Sequence, residues 1–208
     1  MPGLEQLSSR YQEHHVTRSR DFVWGGDERA ELFRRYVGSP GRRVLDLGCR
    51  YGALTRAYLA GNDVVGLDVD RHALDEAGRL GIETVWADAE EGLPFEDASF
   101  DVVVAGELLE HVRDPAGLVG DARRVLRPGG TFVGSVPNGF RLKNRLRVLL
   151  GRHPEDDPTH LHLFSPEDVL GLLCGLEEPR LHFVSSRFLR VRPRLTANII
   201  VFAARKPR

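Results

Sequence analysis

The chain has 208 residues, 41% hydrophobic and 28% charged, with a formal net charge of −1, the balance of an ordinary globular protein long enough to bury a sizeable core. A net charge so near zero argues against a dedicated nucleic-acid binder, and no apolar window approaches the length of a membrane span. The two cysteines, Cys49 and Cys174, lack metal-finger spacing, and the opening MPGLEQLSSRYQEHH has no apolar signal core, so a reducing, cytoplasmic setting is expected.

In chain order, residues 4–15 read as a short helix and 19–26 as a loop carrying Phe22 and Trp24. Asp27 is the expected N-cap of a helix running to Val37, with Leu32, Phe33, Tyr36 and Val37 on one face, stopped by Gly38-Ser39-Pro40-Gly41. Strands over 43–47, 63–68, 82–86, 100–105 and 130–136 then alternate with helices over 52–60, 71–79 and 114–126. Asp114-Pro115 opens the last of these helices, and Pro128-Gly129-Gly130 closes it. Residues 140–151, FRLKNRLRVLLG, read as a basic amphipathic helix, and a further helix runs from Ser165-Pro166 to about Cys174. Strands at 180–186 and 197–204 form an antiparallel hairpin at one sheet edge. The alternation predicts an α/β fold: a doubly wound, mostly parallel, seven-stranded sheet with an antiparallel C-terminal strand. One domain is expected, with an N-terminal lid (1–40), a core (41–136), a substrate-side insert and helix (137–179) and the hairpin (180–208).

The stretch Arg43 to Asp68 is the chemical centre of this pattern. A strand, a glycine turn, a helix and a second strand ending in an acid make a unit suited to an adenosine cofactor, whose ribose hydroxyls the terminal acid can hold. The turn reads D-x-G-x-R-x-G over Asp46, Gly48, Arg50 and Gly52 rather than G-x-G-x-x-G. A carboxylate at Asp46 would repel a pyrophosphate and suit a ligand with an ammonium and a sulfonium, which points to S-adenosylmethionine (SAM). A nicotinamide-dependent oxidoreductase is disfavoured by Asp46 and the missing third glycine, and a ligand-free strand–helix–strand turn stays open. Because arginine tolerates positive φ poorly, a regular backbone is expected at Arg50. Its guanidinium would point into solvent or reach the SAM carboxylate.

Further segments fall in register with this one: Trp86-Ala87-Asp88-Ala89, the strand Ser99 to Val104, Glu107-Leu108-Leu109-Glu110-His111-Val112, and Leu126-Arg127-Pro128-Gly129-Gly130. Together, over residues 40–138, they resemble the class I SAM-dependent methyltransferases of methyltransferase type 11, in the branch containing the ubiquinone- and menaquinone-biosynthesis enzymes. The resemblance implies a Rossmann-like fold with a reversed last strand between its neighbours, SAM as cofactor, and S-adenosyl-L-homocysteine as product. It further implies that Asp46, Gly48, Cys49 and Gly52 border the methionine end of SAM, with backbone groups of Gly48 and Cys49 near its ammonium or carboxylate. Asp68 would hold the ribose, Val69 would pack beside the adenine, Asp88 and Ala89 would contact its edge, and Glu107 would lie by the sulfonium. In related O-methyltransferases an ExxEH string can hold a divalent metal, here at Glu107, Glu110 and His111; a plain turn packed under the sheet edge is the alternative.

Two histidines are candidate bases for removing a proton from an acceptor: His111, and His160 in Asp157-Pro158-Thr159-His160-Leu161-His162. If that segment is extended, His160 and His162 share a face, with His162 the more structural of the two. Asn138 could bond an acceptor or cap the next helix. On the basic helix, Leu142, Leu146, Leu149 and Leu150 would form a stripe toward the core, with Arg141, Lys143, Arg145 and Arg147 in solvent. An alternative is contact of 140–152 with an anionic membrane or a phosphorylated substrate, extended by Arg187, Arg190, Arg192 and Arg194. Tyr11, Phe22 and Trp24 are candidates to line the pocket. The expected activity is in-line methyl transfer from SAM to a small-molecule acceptor, oxygen favoured; the alternative is a catalytically silent SAM-binding protein or partner-activating subunit.

Overall fold

A computed structural model describes residues 3–9, 25–38, 40–154, 157, 159–185 and 192–208. Tyr11, Phe22, Trp24, Arg187 and Arg190 lie outside the described residues. The elements in order are α1 (residues 4–9), α2 (Gly26–Val37), β1 (Arg43–Leu47), α3 (Arg56–Leu59), β2 (Asp63–Asp68), α4 (Arg71–Arg79), β3 (Glu83–Trp86) and β4 (Phe100–Gly106). They continue with α5 (Pro115–Val125), β5 (Leu126–Pro137), α6 (Leu142–Leu149), α7 (Pro166–Leu172), β6 (Glu177–Val184), α8 (Pro193–Thr196) and β7 (Ile199–Arg205).

The strands form one seven-stranded sheet in the order β3-β2-β1-β4-β5-β7-β6. Pairings among β1 to β5 are parallel, and β7 runs antiparallel to both β5 and β6. The reversed strand therefore lies between its neighbours. Alternate side chains of the central strands feed two cores, one on each face. Val44, Val102 and Val104 join Phe33, Val37 and Tyr58 on one side, while Leu45, Leu47, Val103 and Ala105 join Leu118, Val119 and Phe132 on the other. Such two-sided burial is the signature of a doubly wound sheet. The order reverses between β1 and β4, which opens a crevice at their carboxyl ends.

Several boundaries differ from expectation for local reasons. Helix α2 begins at Gly26 after Gly25 in a left-handed conformation (φ 62), with no side-chain cap, so Asp27 is not the N-cap. It sits in the first turn, where its charge still suits the helix dipole. Helix α3 is four residues long rather than spanning 52–60. The bonds Ala57 N to Leu54 O and Tyr58 N to Thr55 O, both 3.0 Å, close tight three-residue turns before it. Residues after Glu107 form a turn, the alternative left open for that segment.

The basic helix α6 reverses the expected orientation. Asn144 is buried at 1% exposure, its amide donating to Gly139 O at 3.0 Å and its carbonyl accepting from Arg141 Nε at 3.2 Å. The polar residue thus fastens the helix to the turn that launches it. Leu142, Leu146, Leu149 and Leu150 are consequently exposed and form no core stripe.

Candidate active site

The loop after β1 is built on three left-handed residues, Gly48 (φ 70), Arg50 (φ 49) and Gly52 (φ 73). A Cβ on Gly52 would meet Ile82 Cδ1 at 2.8 Å and Leu80 Cδ1 at 3.0 Å, side-chain ends that could shift, so it is the positive φ that favours glycine there. Arg50 does not hold a regular backbone. It takes a left-handed conformation at a cost of about 1 kcal/mol, offset by its N–H, which donates to Asp68 Oδ2 at 2.9 Å. Nor is its guanidinium solvated: Nε and Nη2 are buried, and the group lies 5.8 Å from the Tyr51 ring centroid.

The loop's N–H groups turn inward. Gly48 N and Cys49 N both donate to Leu67 O (2.8 and 3.4 Å), and Gly52 N donates to Cys49 O (2.9 Å). With Arg50 N also committed, these donors do not converge on an anion as in a pyrophosphate cradle. Of the backbone groups expected beside the SAM ammonium or carboxylate, the N–H groups of Gly48 and Cys49 are engaged with Leu67 O. Cys49 is buried, and burial pushes its thiol well above the ordinary range.

Asp46 engages α3 through one carboxylate oxygen. It is 4% exposed, and Oδ2 accepts from Thr55 Oγ1 at 2.6 Å and from Tyr58 OH at 2.7 Å. The acid ties β1 to α3 and so fixes the loop between them. Burial raises its pKa from 3.8 to about 6, against the lowering effect of the two hydroxyls, and the nearby Asp68 adds to the rise.

Asp68 ends β2 at the crevice, its two oxygens accepting from Arg50 N and from Asp70 N (2.8 Å). Beside it, Val69 O accepts from Trp86 Nε1 at 3.0 Å, and the Arg71 guanidinium lies 5.0 Å from the Trp86 ring centroid. Asp88 Oδ1 caps the short turn Ala89–Glu91 by accepting from Glu90 N at 2.9 Å, and Ala89 is buried. Asp68 and Val69 thus stand at the carboxyl end of β2, and Asp88 and Ala89 just past that of its parallel neighbour β3.

Glu107, just past β4, is also left-handed (φ 57), with its N–H donating to Ser135 O at 2.9 Å. Its Oε1 is buried without a hydrogen bond and lies 4.0 Å from Arg29 Nη2. Arg29, 3% exposed, donates to Ser135 Oγ at 3.0 Å. Sequence reasoning missed this arginine. The signal was available, because Arg29 shares a helical stripe with Phe33 and Val37, and a charge on a buried stripe needs a partner.

A second group lies farther along the turn. Glu110, His111 and His160 each present one ligand atom within 4.8 Å of the others, and the two imidazole centroids are 4.9 Å apart. Backbone bonds bring the distant segments together, with Leu161 N (2.8 Å) and His162 N (3.2 Å) donating to Glu110 O. His111 Nδ1 is 3.2 Å from Thr159 O, and His160 Nε2 is 3.7 Å from Asp157 Oδ2. Two imidazoles and one carboxylate fit a divalent transition-metal ion. Glu107 is not part of this group, so the expected set Glu107, Glu110 and His111 is replaced by one containing His160. His162 stacks on Phe164 (centroids 5.8 Å apart), away from that pairing. Asn138 is buried, donates to Arg194 O and Ala197 O, and accepts from Phe140 N, so its polar atoms serve the fold rather than an acceptor.

A methyltransferase-domain profile matches residues 45–134. A ubiquinone biosynthesis O-methyltransferase from Hahella chejuensis is 40% identical over 125 residues, covering 57% of this chain and 48% of that protein. One of the same name from Burkholderia vietnamiensis is 30% identical over 168 residues, covering 74% and 70%. A SAM-dependent methyltransferase structure from Archaeoglobus fulgidus superposes with a TM-score of 0.71 at 20% identity, covering 95% of this chain and 99% of that one. The fold, with its switch-point crevice, is that of a Rossmann-like methyltransferase. The chain belongs to the class I SAM-dependent methyltransferases. It spans about half the length of several curated relatives it matches. A SAM site fits this chain: a left-handed glycine loop, a carboxylate at Asp68 beside it, and a buried carboxylate oxygen at Glu107.

Proposed function

We propose that the protein transfers the methyl group of SAM to a hydroxyl oxygen of a small molecule seated between Glu107 and the Glu110–His111–His160 group. The observation that carries this reading is the convergence of two imidazoles and a carboxylate just beyond the end of β4. Backbone carbonyls of the Gly48–Gly52 loop would receive the SAM ammonium, and Asp68 would accept from the ribose hydroxyls. Val69, Asp88 and Ala89 would flank the adenine. Glu107, held beside Arg29, would face the sulfonium and favour its positive charge.

SAM carries the reactive carbon, so the chain's work is to align and desolvate the partners. The acceptor oxygen forms a bond to the methyl carbon as the carbon–sulfur bond breaks, and that electron pair stays on sulfur. The hydroxyl proton passes to His160, whose imidazolium Asp157 would stabilise. Glu110, His111 and His160 would alternatively hold a divalent cation, which when bound supplies a lowered hydroxyl pKa.

Arg50 takes the backbone geometry of a glycine, so the glycine loop gives no support to the silent-binder alternative. Incubation with methyl-labelled SAM and a panel of phenols, catechols, aliphatic alcohols and amines tests the proposal. Label recovered on oxygen, with matching release of S-adenosylhomocysteine, is the expected result. Label confined to amines, or SAM binding without turnover on any acceptor, overturns it.

A further inference from the structure

Among the described residues, five of the eight exposed large apolar side chains lie on α6 and its last turn, four leucines and, off their face, Val148 (57%). Leu142 (47%), Leu146 (50%), Leu149 (80%) and Leu150 (73%) all project from α6 and its last turn. Spacings of four, three and one residues set them on a single outward face. Asn144 is on the opposite side, buried against the turn at Gly139. Leucines usually face the core and asparagines solvent, so this helix is built the other way out.

The edges of that face are cationic. On the helical period Arg145 borders Leu142 and Leu149 on one flank, while Lys143 and then Arg147 border Leu150 on the other. Arg141 and Arg152 bracket the helix, and residues 139–154 contain no acid until Glu155 follows. Helix α8 packs beside α6 and adds the exposed Arg192 and Arg194. A chain of net charge −1 thus gathers a positive rim around a leucine face.

We infer that α6 is an interfacial helix that docks the protein on an anionic phospholipid surface. Aliphatic side chains flanked on both sides by long cations match the acyl boundary below and the phosphates above, since Lys and Arg stems can lie along the apolar layer while their heads stay in water. No described helix is long and apolar enough to cross a membrane, so the contact is peripheral. An eight-residue helix lying flat is about 12 Å long, which suits reversible attachment.

Flotation of the full chain with vesicles tests this. Vesicles of phosphatidylcholine mixed with phosphatidylglycerol should carry the protein upward, vesicles of phosphatidylcholine alone should not, and added salt should release it. Leu146→Glu with Leu149→Glu should lower the bound fraction about tenfold or more, as should Lys143→Glu with Arg145→Glu. Thermal unfolding and SAM binding of these variants should match the parent, since the residues face solvent. Absence of flotation with anionic vesicles overturns the inference. So does flotation that both double variants retain. A dimer in sedimentation that the leucine variants dissociate would assign the face to a second copy and overturn it equally. None of these readouts depends on methyl transfer.

Discussion

Asp46 and Asp68 are two acids at the ends of neighbouring strands, yet they are put to different uses. Asp68, buried as well at 6% exposure, holds the N–H groups of Arg50 and Asp70, and Asp68→Ala should weaken SAM binding more than tenfold by calorimetry; unchanged affinity would remove the proposed ribose assignment. Asp46 faces Thr55 and Tyr58 inside the protein. Its pKa is raised from 3.8 to about 6, so the folded state binds this proton more tightly than the unfolded chain does. Its contribution to stability is full below pH 3.8 and is lost as pH rises through about 6, a swing of about 3 kcal/mol. Denaturant unfolding of the parent and Asp46→Asn across that window should show the parent losing stability relative to the variant as pH rises; a flat difference would contradict it. The position of each acid was readable from the sequence, because a strand followed by a glycine turn fixes where the acid falls. The direction of its side chain was not, because that depends on hydroxyls nine and twelve residues on, in a helix whose start the sequence misplaces. Arg50 is the same lesson on the backbone: side-chain type argued against positive φ, and one carboxylate from the next strand reversed the balance.

At the level of elements, strands β1, β2 and β4 and helix α4 fall within a residue of where periodicity puts them, because apolar runs and caps are local signals. The turn from Glu107 to Val112 and the segment around His160 are different. Each is polar and aperiodic alone, and neither shows that the other exists. The hydrogen bonds from Leu161 N and His162 N to Glu110 O create the site, and these join segments about fifty residues apart. Sequence spacing therefore paired Glu107 with Glu110 and His111, whereas the fold substitutes His160. Zinc or cobalt titration into metal-stripped protein should give one site per chain, and His160→Ala should weaken it about tenfold or more, while Glu107→Gln should leave it intact. Equal loss in both variants would restore the older set. Helix α6 shows why periodicity alone misleads: it identifies an apolar face but not which way that face points, and here a single buried asparagine decides.

Across the whole molecule, the sheet is sealed where β5 meets β7. Gly134 has no room for a side chain, since a Cβ there would stand 2.4 Å from Phe202 Cζ and 2.5 Å from the Ala105 carbonyl oxygen. Gly134→Ala should cost about 1–3 kcal/mol in chemical denaturation, and an unchanged midpoint would mean that β7 is seated more loosely than these distances state. The parallel order of the first five strands follows from the alternation of strand and helix, and the reversed strand was legible through resemblance to a known fold. The resemblance placed it between its neighbours, as observed, whereas the residues alone read only as an edge hairpin of β6 with β7. The order β5-β7-β6 has a consequence for how this protein is born. Strand β6 leaves the ribosome before the strand through which it joins the sheet, so until β7 emerges the nascent chain carries two unpaired edges. Either could capture a neighbouring polypeptide on the same message. The sheet is complete only once β7 has been translated, well after the cofactor loop has emerged.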